Sequence, residues 1–183
     1  MNEHIQALKL KLSMRDAEKI AEKKGDWFWR LVFKNLPLSQ LKLMYIEYEI
    51  IRVRTTSAPA LLSGFNKKKS GAVHKYLDVL VNGTTGGVAL ITDHHLCVED
   101  LEVDNNIEIQ HAVFDRQEAA KRAKILAHKV THRTMGGMHE TEIIERFSIY
   151  RPFWVAFYGE IAEGNKVRYI TIPADGGQNQ RAR

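Results

Sequence analysis

The chain has 183 residues, 44% of them hydrophobic and 27% charged, enough to build one ordinary domain or two small ones and too apolar for global disorder. No apolar run approaches the roughly 18 residues a membrane helix needs. The first residues lack the basic-then-apolar order of a secretory signal, and the single cysteine, Cys97, excludes an internal disulfide framework. A soluble, cytoplasmic globular protein is expected. The net charge of +5 is uneven: residues 1–92 carry 15 Lys and Arg against 8 Asp and Glu, and residues 93–183 carry 12 against 14. Six acidic residues and no Lys or Arg lie between Asp93 and Glu108, and six basic residues with only Glu118 lie between Arg116 and Arg133. Adjacent blocks of opposite sign neutralise each other, so a uniform nucleic-acid footprint is not expected.

Taken in order, Ser13-Met14-Arg15-Asp16 opens a helix with an imperfect capping box, Ala17, Ile20 and Ala21 share one face, and Gly25 ends it. The aromatic run Trp27-Phe28-Trp29-Arg30-Leu31-Val32-Phe33 fits a short second helix or a buried strand. Leu41 to Arg54 reads as a strand, Thr55 to Gly71 as a long loop holding Lys67-Lys68-Lys69, and Val73 to Val81 as a second strand. Asn82-Gly83-Thr84-Thr85-Gly86-Gly87 marks a hairpin turn, with a short strand from Val88 to Thr92 behind it. Asp115-Arg116-Gln117-Glu118 opens another helix, with Ala119, Ala123, Leu126 and Val130 on one stripe. Glu145 to Tyr158 and Val167 to Ile172 complete the strands.

The two halves align. Ser13-x-x-Asp16-Ala17-x-x-x-Ala21 matches Asp115-x-x-Glu118-Ala119-x-x-x-Ala123, Tyr45-x-x-Tyr48 matches Tyr150-x-x-Phe153, and Tyr76 to Gly83 matches Tyr169 to Gly176. This order predicts an α+β protein of two tandem units, an internal duplication in which each helix packs on a small antiparallel sheet. The units are residues 1–92 and 109–183, joined by an acidic linker at 93–108. Ala17 and Ala119 are expected under their helices, Tyr45 and Tyr150 at matching strand positions, as are Tyr76 and Tyr169, and Gly83 and Gly176 in turns.

With its centre at Tyr150-Arg151-Pro152-Phe153-Trp154-Val155 and its strands ending in Asn82-Gly83 and Asp175-Gly176, the pattern resembles bacterial PepSY-type or cystatin-like modules. That resemblance implies tandem cystatin-like units acting by inhibition, ligand binding or protein association, with no catalytic residues to carry over. The insertion at Thr55 to Gly71 departs from the simple module.

Several constellations compete for chemistry. His128-x-x-x-His132 has metal-ligand spacing on a helix, with His139 close behind, but Lys121, Lys124 and Arg133 oppose a dication. Asp93-His94-His95-x-Cys97 gathers metal-binding groups, yet neighbouring residues of a strand face opposite ways. The glycine cluster lacks the Gly-Lys-Ser/Thr ending and the following helix of a phosphate loop. Lys67, Lys68 and Lys69 are the polyanion candidates. Aromatic residues are the leading ligand or interface candidates: Tyr45, Tyr48, Tyr150, Phe153 and Trp154, with Trp27 and Trp29. The expectation is a non-catalytic binding or association module, acting through sheet and loop surfaces on an unknown protein or small ligand, with homo-oligomerisation open and no cofactor. The alternatives are nucleic-acid binding through Lys67–Lys69 and the helix at 116–133, and a weaker one, a metal-dependent enzyme.

Overall fold

A computed structural model describes residues 3–24, 36–57, 73–92, 96–135, 139–160 and 168–176. Two helices and eight strands appear among them: β1 (Glu3–Leu8), α1 (Met14–Lys24), β2 (Leu38–Ser57), β3 (Val73–Asn82), β4 (Val88–Leu90), β5 (Val98–Val103), β6 (Glu108–Gln110), α2 (Arg116–Met135), β7 (His139–Tyr158) and β8 (Arg168–Pro173). The strands belong to one mixed sheet of order β4-β3-β2-β7-β1-β5, with β6 pairing with β2 and β8 with β7. Neither helix is long and apolar enough to cross a membrane.

This overturns the tandem arrangement. The chain does divide into two compact units, but each is assembled from distant segments. The first comprises Met1–Glu47, Leu96–His111 and Ile149–Asn179; the second comprises Tyr48–His95, Ala112–Ser148 and Gln180–Arg183. The physical reason lies in what each helix covers. In the first unit, Ala17 and Ala21 of α1 pack on Trp154, Ala156 and Tyr158 of β7 and on Ile170 and Ile172 of β8. In the second, Ala119, Ala123 and Ala127 of α2 pack on Ile51 and Val53 of β2 and on Val79 and Val81 of β3. Each helix therefore rests on the hairpin that comes from the opposite half of the chain. Matched residues do share environments, since Ala17 and Ala119 are both buried and Tyr76 and Tyr169 are both exposed. They do not define two tandem domains.

Local chemistry sets the helix starts. The Asp16 amide donates to Ser13 Oγ at 3.2 Å, and Ser13 Oγ donates to the Asp16 carboxylate at 2.8 Å. Asp16 is too short to reach the backbone, so it holds the cap from its side chain instead. At α2 the Glu118 amide donates to the Asp115 carboxylate at 2.8 Å. The buried stripe of α2 runs Ala119, Ala123, Ala127 and Thr131, with Leu126 and Val130 at its margin rather than its centre. Small residues four apart let the helix backbone approach the sheet closely. Thr131 Oγ1 then donates to Thr55 Oγ1 at 3.2 Å, which itself donates to the Lys75 carbonyl, so two buried hydroxyls are satisfied in series.

In the first unit the large aromatics anchor α1 by their polar ends. Trp154 Nε1 donates to the Leu12 carbonyl and the Tyr158 hydroxyl to the Ala21 carbonyl, each at 2.9 Å. A second cluster joins Ile5, Ala7, Tyr45 and Val103. Within the stretch read as an acidic linker, β5 pairs with β1 from Val98↔Leu8 to Val103↔Glu3, and β6 runs parallel to β2. Acidic and apolar residues alternate there: Asp100 and Glu102 are exposed, and Leu101 and Val103 turn to the core.

The β3–β4 turn is fixed by Asn82, whose Oδ1 accepts from the amides of Thr84 and Thr85 at 2.8 Å each. Gly86 has φ +67°, and a Cβ there would fall 2.3 Å from Cζ of Phe114. The Arg122 guanidinium covers that ring at 4.6 Å from its centroid and donates to the Gly86 carbonyl at 2.9 Å. Gly86→Ala is expected to cost about 2–4 kcal/mol from overpacking and backbone strain. Gly87→Ala, whose Cβ would meet only the Thr85 hydroxyl at 3.3 Å, is expected to cost less than about 1 kcal/mol. Chemical denaturation of both variants decides it, and equal losses would contradict the stacking role of Gly86.

The shared construction of the units has a second test. Fragments 1–92 and 93–183, produced separately, are expected to lack cooperative unfolding, because each holds a helix without its hairpin. Mixing them is expected to restore a cooperative transition; fragments that fold separately would contradict the exchanged packing.

Candidate functional site

The second unit carries a groove of about 660 Å³ on the exposed side of β3, lined from β2 and β7 as well. Arg52 spans it. Its Nε and Nη2 donate to the two Asp78 carboxylate oxygens at 2.8 and 3.2 Å, and its Nη1 donates to Glu145 at 2.9 Å. The Asp78 hydrogen bond pushes the Arg52 pKa up, so the guanidinium remains charged. Around this charged bridge stand Tyr76, 57% exposed, and Ile144, 44% exposed, with Leu90 and Ile91 at the end of β4.

Regular alternation along β7 delivers Ile144 to the groove. Thr141 and Ile143 are partly buried and Glu140, Glu142 and Ile144 exposed, as a strand demands; the alternation breaks only at Glu145, which is exposed as well before Arg146 turns inward. Arg146 then forms a bidentate pair with Glu49 at 2.7 and 2.8 Å and donates to the Arg116 carbonyl. The sequence reading missed Ile144 because it began this strand at Glu145, whereas the strand starts at His139. Tyr76 was visible only as a repeat marker.

The aromatic candidates divide. Tyr45, Phe153 and Trp154 are buried core residues. Tyr48 is partly buried, and its hydroxyl accepts from Asn82 Nδ2 at 2.8 Å, bracing the β2–β3 pair at its last register position. Tyr150 sits in a polar constellation of the first unit. Its hydroxyl lies 2.9 Å from His111 Nδ1 and 3.5 Å from Glu47 Oε2, and His111 Nε2 lies 3.7 Å from Glu3 Oε1. Burial first, and then the carboxylates of Glu47 and Glu3, push the Tyr150 phenol up to about 12. Burial, then Glu99, raises Tyr45 as well. The neutral phenol bridges His111 and Glu47 by hydrogen bonds.

Trp27, Trp29, Lys67, Lys68, Lys69, His94 and His95 lie outside the described residues. Cys97 is exposed, and its carbonyl accepts from the Lys9 amide at 2.9 Å. His128 and His132 are exposed on α2 with ring centroids 6.2 Å apart. On the same helix Arg116 pairs with Glu49, and Lys121 and Arg122 with Glu118, which leaves its basic face less charged than its composition implies.

Alkaline titration tests the Tyr150 environment. Its pKa is raised, so its contribution to stability is complete below pH 10 and is lost as pH climbs toward about 12. Tyr150→Phe is expected to remove one late-ionising phenol from the absorbance titration and to flatten the alkaline loss of stability. Ionisation of all six tyrosines together near pH 10 would contradict the geometry.

No family model matches this chain, and comparison with curated proteins and with solved structures finds no match either.

Proposed function

We propose that this protein is a non-catalytic binding module that receives an extended peptide segment of a partner protein along the groove of its second unit. The observation that carries this reading is the pairing of exposed apolar side chains with charges that already satisfy one another. Tyr76 and Ile144 offer contact surface, whereas Arg52, Asp78 and Glu145 form a closed ion-pair bridge. Lys75 also lines the groove and donates to Thr134, so the groove's two cations balance its two carboxylates, whereas a polyanion groove would carry an excess of cations. A general acid or base would stand free of such a bridge. Here the charges define polarity along the groove, and the apolar groups supply the desolvation that drives association.

The test is selection of twelve-residue peptides from a displayed random library against the full chain. Selected peptides are expected to bind Tyr76→Ala/Ile144→Ser at least about tenfold more weakly, a loss of about 1.4 kcal/mol. Thermal unfolding of that variant should match the parent within about 0.5 kcal/mol, because both side chains face solvent. Peptides that bind parent and variant alike, or selection that yields none, would overturn the proposal. Salt-sensitive retention on DNA would favour the nucleic-acid alternative instead.

A further inference from the structure

Three imidazoles gather at the carboxyl end of α2. His128 and His132 stand one turn apart with ring centroids 6.2 Å apart, and His139, the first residue of β7, brings its ring to 6.3 Å from that of His128. The first two rings are exposed. His139 is different: it is partly buried, both of its ring nitrogens are shielded from solvent, and neither has a hydrogen-bond partner among the described residues. An imidazole always presents two polar nitrogens, and shielding both without a partner costs free energy that a bound ligand recovers.

We propose that His128, His132 and His139 form a binding site for a divalent transition-metal ion of the zinc, nickel or copper kind. Three imidazoles without a carboxylate select such borderline ions over calcium or magnesium, which take oxygen ligands. The backbone spacing is suitable, since residues four apart on a helix present ligands to one side. Zinc binds imidazole nitrogen at about 2.0–2.1 Å, so two rings on one tetrahedral ion have centroids roughly 5 Å apart. The observed separations are about 1 Å wider. As they stand, no three His, Cys, Asp or Glu side chains among the described residues converge on a single ion. Closure therefore comes from side-chain rotation: the exposed rings of His128 and His132 turn in solvent, and the His139 ring turns to uncover one of its shielded nitrogens. The partial negative charge of the helix carboxyl terminus favours a cation there, against the repulsion of Lys124, one turn before His128, and of Lys129 and Arg133, all on solvent-screened positions of the same helix. Binding ties the last turn of α2 to the first residue of β7 across residues 136–138.

Titration calorimetry of chelator-stripped full-length protein with Zn²⁺ tests this, with Ni²⁺ as a second probe. One saturable site per chain is expected, together with a higher Tm in the presence of the metal. His128→Gln and His139→Gln should each weaken binding at least about tenfold. His132→Gln, on the exposed helix face, keeps the test valid if the His139 variant fails to fold, and it should weaken binding similarly. Cys97→Ser should bind as the parent does. No saturable binding, or binding unchanged in the His128 and His132 variants, would overturn the proposal, as would binding lost in Cys97→Ser alone.

Discussion

Close packing of alanine stripes against a sheet sets the rest of this molecule. On α1, Ala17 and Ala21 lie completely buried, and on α2 Ala119, Ala123 and Ala127 do the same work over a longer helix. A side chain of one carbon brings helix backbone and sheet together, which leaves room only for the β-branched and aromatic residues beneath: Ile51, Val53, Val79 and Val81 in one unit, Trp154 and Tyr158 in the other. Because packing this close tolerates little added volume, the helix must meet a hairpin whose surface is already complementary. The partner hairpins are β7–β8 for α1 and β2–β3 for α2. The two 20-residue strands, β2 and β7, follow from this, since each contributes one part of its length to each unit.

Charged groups in both units are organised by the same economy of space. Arg151 and Asp175, 8% and 10% exposed, form a two-point ion pair at 2.8 and 3.1 Å beside the Phe153 ring. Removing one partner of such a pair strands a charge in the interior, at a cost of roughly 3–5 kcal/mol, whereas the intact pair adds little net stability. Its role is to specify where β7 meets the turn after β8. Glu49, held by Arg146 and approached by Arg116, performs the equivalent service at the start of α2. The Arg52 bridge differs in being exposed, and surface pairs of that kind contribute far less. Its effect is on the shape and polarity of the groove.

Much of the element order was legible because it is encoded locally. Ser13 and Asp115 mark helix starts by side-chain hydrogen bonds that operate within three residues, and Asn82 organises its turn in the same way. What eluded the reading is encoded over distance. Residues 98–110 are dominated by their charge count, which hides the alternation of Leu101 and Val103 with Asp100 and Glu102. Nothing local tells α1 that its hairpin lies beyond residue 150. The alignment of Tyr45 with Tyr150 captured a likeness of strand pattern, yet Tyr45 is buried in the core while Tyr150 leans on His111 and Glu47. The meeting of Ile144 with Arg52 and Tyr76 and the shielded ring of His139 are equally invisible to periodicity, because each depends on what a neighbouring strand or helix end presents.

The exchanged helix–hairpin packing has a consequence during synthesis. While the ribosome makes the first half, α1, β2, β3 and β4 emerge with their apolar faces formed but without the segments that cover them. The β2–β3 hairpin waits for α2 and the first half of β7, and α1 waits longer, for the second half of β7 and for β8, so the first unit closes only after residue 170. Contacts of such long sequence separation close slowly, and exposed β-strand surface is prone to mispairing in the interval. The second unit can thus close while the first still lacks the strands that cover α1.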